Sequence, residues 1–153
     1  IMGHPFLETP HMDHVIKQGV HAQNAFVTTS LCSPSRASVL SGQYMHAHNV
    51  NDNSTPLRRD LMTFPRVLQQ HGYRTGFIGK WHMGGETDEP RPGFDRWISF
   101  RGQGTYFDPV LNYDGHRRQV LGYNPEILTH EAKKFLGESR GQPFLLFLQL
   151  RLQ

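Results

Sequence analysis

Pro143 to Leu148 reads Pro-Phe-Leu-Leu-Phe-Leu, a short apolar run with no polar break. A strand with one wet face alternates polar and apolar residues. A continuous run of this length suits a strand covered on both faces, with helices packed above and below a parallel sheet. The remaining sequence supplies the alternation such a sheet needs. Thr9-Pro10 opens a packing helix bearing Met12, Val15 and Ile16 and closed by Gly19, and His21 to Thr29 reads as a strand. Thr63 to Gln70 reads as a helix with Thr63 as cap, Pro65 in its first turn, Val67 and Leu68 inward, and Gly72 as stop. Tyr73 to Ile78 is a second strand. Tyr106 to Tyr113, followed by Asp114-Gly115, suggests a small hairpin. Asn124-Pro125 then opens a longer helix with Ile127, Leu128, Ala132, Phe135 and Leu136 on one broad face. With no internal repeat or linker, residues 1–153 are expected to form a single α/β unit, its sheet largely parallel and flanked by helices.

Composition narrows the partners. A net charge of +3 is weak and its basic residues are scattered, so there is no nucleic-acid footprint. No run is apolar enough to span a membrane, and none reads as a signal peptide. One cysteine excludes an internal disulfide. Fifteen glycines and ten prolines beside a 37% hydrophobic fraction imply many loops around a modest core.

That single cysteine sits in the most informative stretch, Cys32-Ser33-Pro34-Ser35-Arg36-Ala37-Ser38-Val39-Leu40-Ser41-Gly42. Pro34 suits the first turn of a helix, where its missing N–H is no loss, and Gly42 suits the stop. Cys32 is therefore expected at or just before a helix N-terminus, where unpaired N–H groups and the macrodipole favour an anion. Arg36 lies about one turn further on and brings a fork of donors suited to an oxyanion. A second block, Gly72-Tyr73-Arg74-Thr75-Gly76-Phe77-Ile78-Gly79-Lys80-Trp81-His82, places a cation and an imidazole at a strand end. Strand alternation puts Lys80 and His82 on one face, with Trp81 packed opposite.

Between the blocks, Tyr44 to Pro56 reads as a polar loop. His46, His48 and the asparagines, Asn53 among them, are candidate substrate contacts there. Glu86 to Gly93 is a further loop, and Gly93-Phe94-Asp95-Arg96-Trp97 a turn packed onto the sheet. Arg101-Gly102-Gln103-Gly104-Thr105-Tyr106 lacks the spacing and the Lys-Ser/Thr of a nucleotide loop.

The two blocks, in this order, resemble the signatures of the type I sulfatases. The likeness covers nearly all of the chain and is nearest in flavour to N-acetylglucosamine-6-sulfatase-like glycan sulfatases. It implies the alkaline-phosphatase-like fold, incomplete here, with the chain an internal piece of an N-terminal catalytic domain. It also implies that a formylglycine-generating enzyme converts Cys32 to formylglycine. The hydrated aldehyde attacks sulfur with the help of a divalent cation, Ca²⁺, and Cys32 in its converted form is the one metal-ligand position the chain would contain. By the same resemblance Arg36 holds the hydrated group, Lys80 bridges it to a sulfate oxygen, and His82 assists its collapse. The substrate would be a sulfated carbohydrate or other sulfate ester, and the compartment periplasmic, secreted or lysosomal. The family's paired aspartates and later Asp-Asn pair have no match here, so this stretch alone is expected to be inactive. The alternatives are a phosphonate or phosphate monoester hydrolase of the same fold, or a truncated remnant that only binds anions.

Overall fold

The computed structural model describes residues 4–151; the expectations attached to Ile1 and to Leu152-Gln153 lie outside the described residues. The helices are α1 (Pro10–Gln18), α2 (Cys32–Ser41), α3 (Met45–His48), α4 (Phe64–Gln70) and α5 (Asn124–Glu138). The strands are β1 (Arg74–Lys80), β2 (Arg96–Phe100), β3 (Val110–Tyr113), β4 (His116–Gln119) and β5 (Phe144–Gln149), in the sheet order β4-β3-β2-β1-β5. β1 runs parallel to both β2 and β5, while β3 and β4 add an antiparallel margin. The sheet is thus mixed, with its parallel part where the two sequence blocks meet. Within that margin Asp114 and Gly115, at φ 52° and 102°, close a two-residue hairpin between Tyr113 and His116 that sets β4 antiparallel to β3.

Strand β1 lies between β2 and β5 and is buried along almost all its length. Its neighbours Phe77 and Ile78 point to opposite faces and enter different cores. Phe77 joins Trp81, Trp97, Ala37, Leu40 and Leu57 under α2 and α4. Ile78 joins Ile98, Leu111, Leu128, Ala132 and Phe135 under α5. The start of β2 is fastened to β1 by Asp95, whose carboxylate accepts from the Thr75 backbone N–H at 2.8 Å and from its hydroxyl at 3.0 Å. This is the turn expected at Gly93 to Trp97.

Several expectations need correction. His21 to Thr29 is not a strand: bends interrupt it, no described strand pairs with it, and Phe26 and Val27 stand exposed. A strand exists only through its ladder, so local residue preference is not sufficient. β5 forms where expected but is only half-buried, because it is the edge of the described sheet. α1 also forms, yet buries no residue and leaves Met12 and Val15 exposed among the described residues. The loop from Tyr44 to Pro56 contains the one-turn helix α3. In α4 the inward residues are Pro65 and Leu68 rather than Val67, and in α5 Leu136 is exposed. Thr9 and Thr63 occupy N-cap positions without making a side-chain capping bond.

Candidate active site

Helix α2 starts at Cys32, with Leu31 as its N-cap. Leucine has no side-chain acceptor for the free N–H groups of a first turn. The acceptor comes from elsewhere: Asn53 Oδ1 takes the Ser33 N–H at 3.0 Å. Asn53 is held in turn by the neighbouring Asp52, whose Oδ1 accepts from the backbone N–H and hydroxyl groups of both Ser54 and Thr55. Those bonds draw the Asp52 carboxyl down to about 2, the Ser54 and Thr55 hydroxyls contributing most. A folded value below the unfolded 3.8 means the turn's contribution is present above that pH and is lost as pH falls through about 2.

At its other end α2 stops where Gly42, at φ 68°, donates its N–H to Ser38 O. Ala37 and Leu40 seat the inner face of α2 in the core, which leaves Cys32 exposed at the tip. Cys32 and Arg36 line an open pocket of about 470 Å³ together with Val39, Phe147 and Gln149. A larger open cavity, about 640 Å³, lies between the β4 end and α5, and none of Cys32, Arg36, Asn53, Lys80 or His82 lines it.

Two carboxyl ends of parallel strands meet under this tip, those of β1 and β5. Arg36 Nη1 donates to Lys80 O at 2.7 Å and to Gln149 Oε1 at 3.1 Å, tying α2 to both strands. The Ser33 hydroxyl donates to His82 O in a second tie. Lys80 and His82 are buried. β1 ends at Lys80, so strand alternation does not extend to His82; instead His82 adopts φ 50°, a left-handed conformation uncommon outside glycine. Trp81 drops into the core between Phe77 and Trp97. The two side chains still converge, because both meet Gln103: Lys80 Nζ donates to its Oε1 at 2.6 Å, and its Nε2 lies 3.3 Å from His82 Nε2.

Electrostatics follow from this crowding of cations. Burial, and then the charges of Lys80 and Arg36, hold His82 below its ordinary value, so it is neutral near pH 7. Burial likewise lowers Lys80 and Arg36, opposed in each case by Cys32. The site is a partly desolvated positive basin around the cysteine, able to hold an oxyanion and, through a neutral imidazole, to accept a proton.

The structure therefore brings Cys32, Arg36, Lys80 and His82 together and adds Asn53 at the helix tip. It does not bring His46 or His48 there. His48 is fully buried, with Nε2 3.0 Å from Ser38 Oγ and Nδ1 accepting the Val50 N–H at 3.0 Å, so its ring clasps α3 to α2. His46 is exposed and stacks on Tyr44. Sequence reasoning missed Ser33, Gln103 and Gln149. A polar residue at the carboxyl end of an apolar parallel strand was the available signal for Gln149.

A hard divalent cation such as Ca²⁺ needs six to eight oxygen ligands. Among the described residues no three His, Cys, Asp or Glu side chains converge to hold a metal, and the charged groups coupled to Cys32, Arg36 and Lys80, are cations. The residues present do not make such a site on their own.

A family model described as Sulfatase matches residues 1–151. An N-acetylglucosamine-6-O-sulfatase of Bacteroides thetaiotaomicron is 37% identical over 148 residues, covering 94% of this chain and 26% of that protein. Human N-sulphoglucosamine sulphohydrolase is 31% identical over 150 residues, covering 93% of this chain and 26% of that protein. A solved structure described as a complex with its substrate D-glucosamine-2-N,6-O-disulfate superposes with a TM-score of 0.87 at 36% identity, covering 96% of this chain and 30% of that one. The chain thus spans 26–30% of the length of the relatives it matches.

Proposed function

This chain belongs to the sulfatase family and shares its alkaline-phosphatase-like fold, and we propose that the protein carrying it hydrolyses sulfate monoesters of a sulfated sugar. The observation that carries the reading is the exposed Cys32 at the first position of α2, with Arg36, Lys80 and His82 gathered around the same helix tip. A sulfate ester presents an anionic electrophile and expels an alkoxide or phenolate, so its hydrolysis needs positive charge, a placed oxygen nucleophile and proton transfer.

Formylglycine made from Cys32 would supply, once hydrated, the oxygen nucleophile that a thiol does not. The exposure of Cys32 and its place at a helix N-terminus fit such a group. Around it Arg36 is fixed by its bonds to Lys80 O and Gln149 and lends permanent positive charge. Lys80, anchored on Gln103, brings a second cation to the sulfate oxygens. Neutral His82 takes up or returns a proton at a ring nitrogen. Calcium, where the whole protein uses that ion, would need oxygen ligands beyond those gathered among the described residues.

The sugar preference rests on the relatives, two of which are named for sulfated glucosamines. The test compares turnover by the full-length protein of a glucosamine 6-sulfate ester, the matched 6-phosphate and a phosphonate monoester. The sulfate ester is expected to react faster by about tenfold or more, equivalent to ~1.4 kcal/mol in the barrier. Faster phosphate or phosphonate turnover would assign the site to a phosphoryl-ester hydrolase. Anion binding without turnover of any ester would make it a binding site only.

A further inference from the structure

Gln103 stands between the two basic side chains of the site, and its amide has only one workable orientation. The Lys80 ammonium has hydrogens to give and no lone pair, so the amide end 2.6 Å from Nζ is the carbonyl. The other end, an NH₂ group, is thereby turned toward His82 Nε2 at 3.3 Å. An amide nitrogen donates, so His82 Nε2 must accept. A neutral ring that accepts at Nε2 carries its proton on Nδ1. Nδ1 is buried and has no hydrogen-bond partner among the described residues.

The backbone beneath Gln103 is built to hold this pose. Gly102 and Gly104 flank it at φ 53° and 68°, and a Cβ at 104 would sit 2.5 Å from the Phe100 ring. Gly102 donates its N–H to Gly85 O at 3.1 Å, and Arg151 Nη1 donates to Gln103 O at 2.9 Å while its guanidinium lies over Tyr106. The side chain is therefore presented from a fastened turn.

We propose that Gln103 is a positioning residue: its one amide anchors the Lys80 ammonium and selects the Nδ1–H tautomer of His82, fixing both basic groups beside the tip of α2. The benefit to turnover rests on the sulfatase reading, whereas the tautomer does not. A glutamate at 103 keeps the size and the acceptor for Lys80 but has no hydrogen for His82, so the ring is freed to carry its proton on Nε2 and donate to the carboxylate.

The experiment uses the full-length protein labelled with ¹⁵N-histidine, at a pH where imidazole is neutral, with His82 assigned by its loss in His82→Asn. Two-bond ¹H–¹⁵N spectra are expected to show the Nδ1–H pattern in the wild type, the Nε2–H pattern in Gln103→Glu, and a mixture in Gln103→Ala. In the same variants kcat for the sulfate ester is expected to fall by up to about 100-fold with a smaller change in KM, the size of a small misplacement of a reacting group. A wild-type ring protonated on Nε2 overturns the proposal, as does an unchanged tautomer in both folded variants. An altered tautomer with unchanged kcat overturns the role in turnover. If the tautomer shifts as expected while the wild type turns over no sulfate ester, the positioning role stands and the proposed function fails.

Discussion

Replacing Arg36 by alanine is expected to lower kcat for sulfate ester hydrolysis by roughly 10²–10³, the size of removing one preorganised donor from developing negative charge, about 2.7–4 kcal/mol. Arg36 cannot act as a free surface charge, because one of its nitrogens bonds Lys80 O and Gln149 Oε1 at once. Its loss would leave those acceptors unmatched beside the site, a structural cost of about 1–3 kcal/mol for a buried polar group. Lysine at 36 separates the two effects. It restores charge but not the planar fork, so it is expected to recover part of the stability and little of kcat. Thermal unfolding and steady-state kinetics on both variants check this. Wild-type kcat in a folded Arg36→Ala protein would remove Arg36 from the reacting centre.

Gly79→Ala is expected to have the largest effect on folding. Gly79 has φ 120° inside β1, and a Cβ there would lie 2.1 Å from Gln149 O on the paired strand. The backbone conformation alone costs a side-chain-bearing residue about 1–3 kcal/mol. Relieving the overlap also means parting β1 from β5 at the residue that holds Arg36. Against a total stability of roughly 5–15 kcal/mol, the variant should be poorly soluble or melt well below wild type, with Arg36 displaced in whatever remains folded. A normal melting temperature with normal turnover would show that the close approach of these strands is not required.

The contrast between these two residues indicates what a sequence carries. The helix holding Cys32 and Arg36 was legible because Pro34 and Gly42 punctuate it by local chemistry, and both act as their backbone preferences dictate. The Asp114-Gly115 hairpin and the start of α5 at Asn124-Pro125 are local in the same way. Strand status was less secure, since it depends on partners distant in sequence. His21 to Thr29 has suitable residues but no ladder, and β5 has a core-like sequence but an edge position. His46 and His48 looked alike in sequence, yet one is solvated and the other is a buried clasp. Gln103 and Gln149 reach Lys80 and Arg36 across 23 and 113 residues, separations that no spacing rule addresses.

The most direct measurement is made on Cys32 itself. The full-length protein, produced with a formylglycine-generating enzyme, and its Cys32→Ala variant are assayed on a glucosamine 6-sulfate ester, and the peptide containing position 32 is weighed. The account predicts a wild-type peptide with the mass of an aldehyde in place of the thiol, turnover by that protein, and none by the variant. Turnover persisting in Cys32→Ala, or turnover by a wild type whose Cys32 remains wholly a thiol, would contradict it.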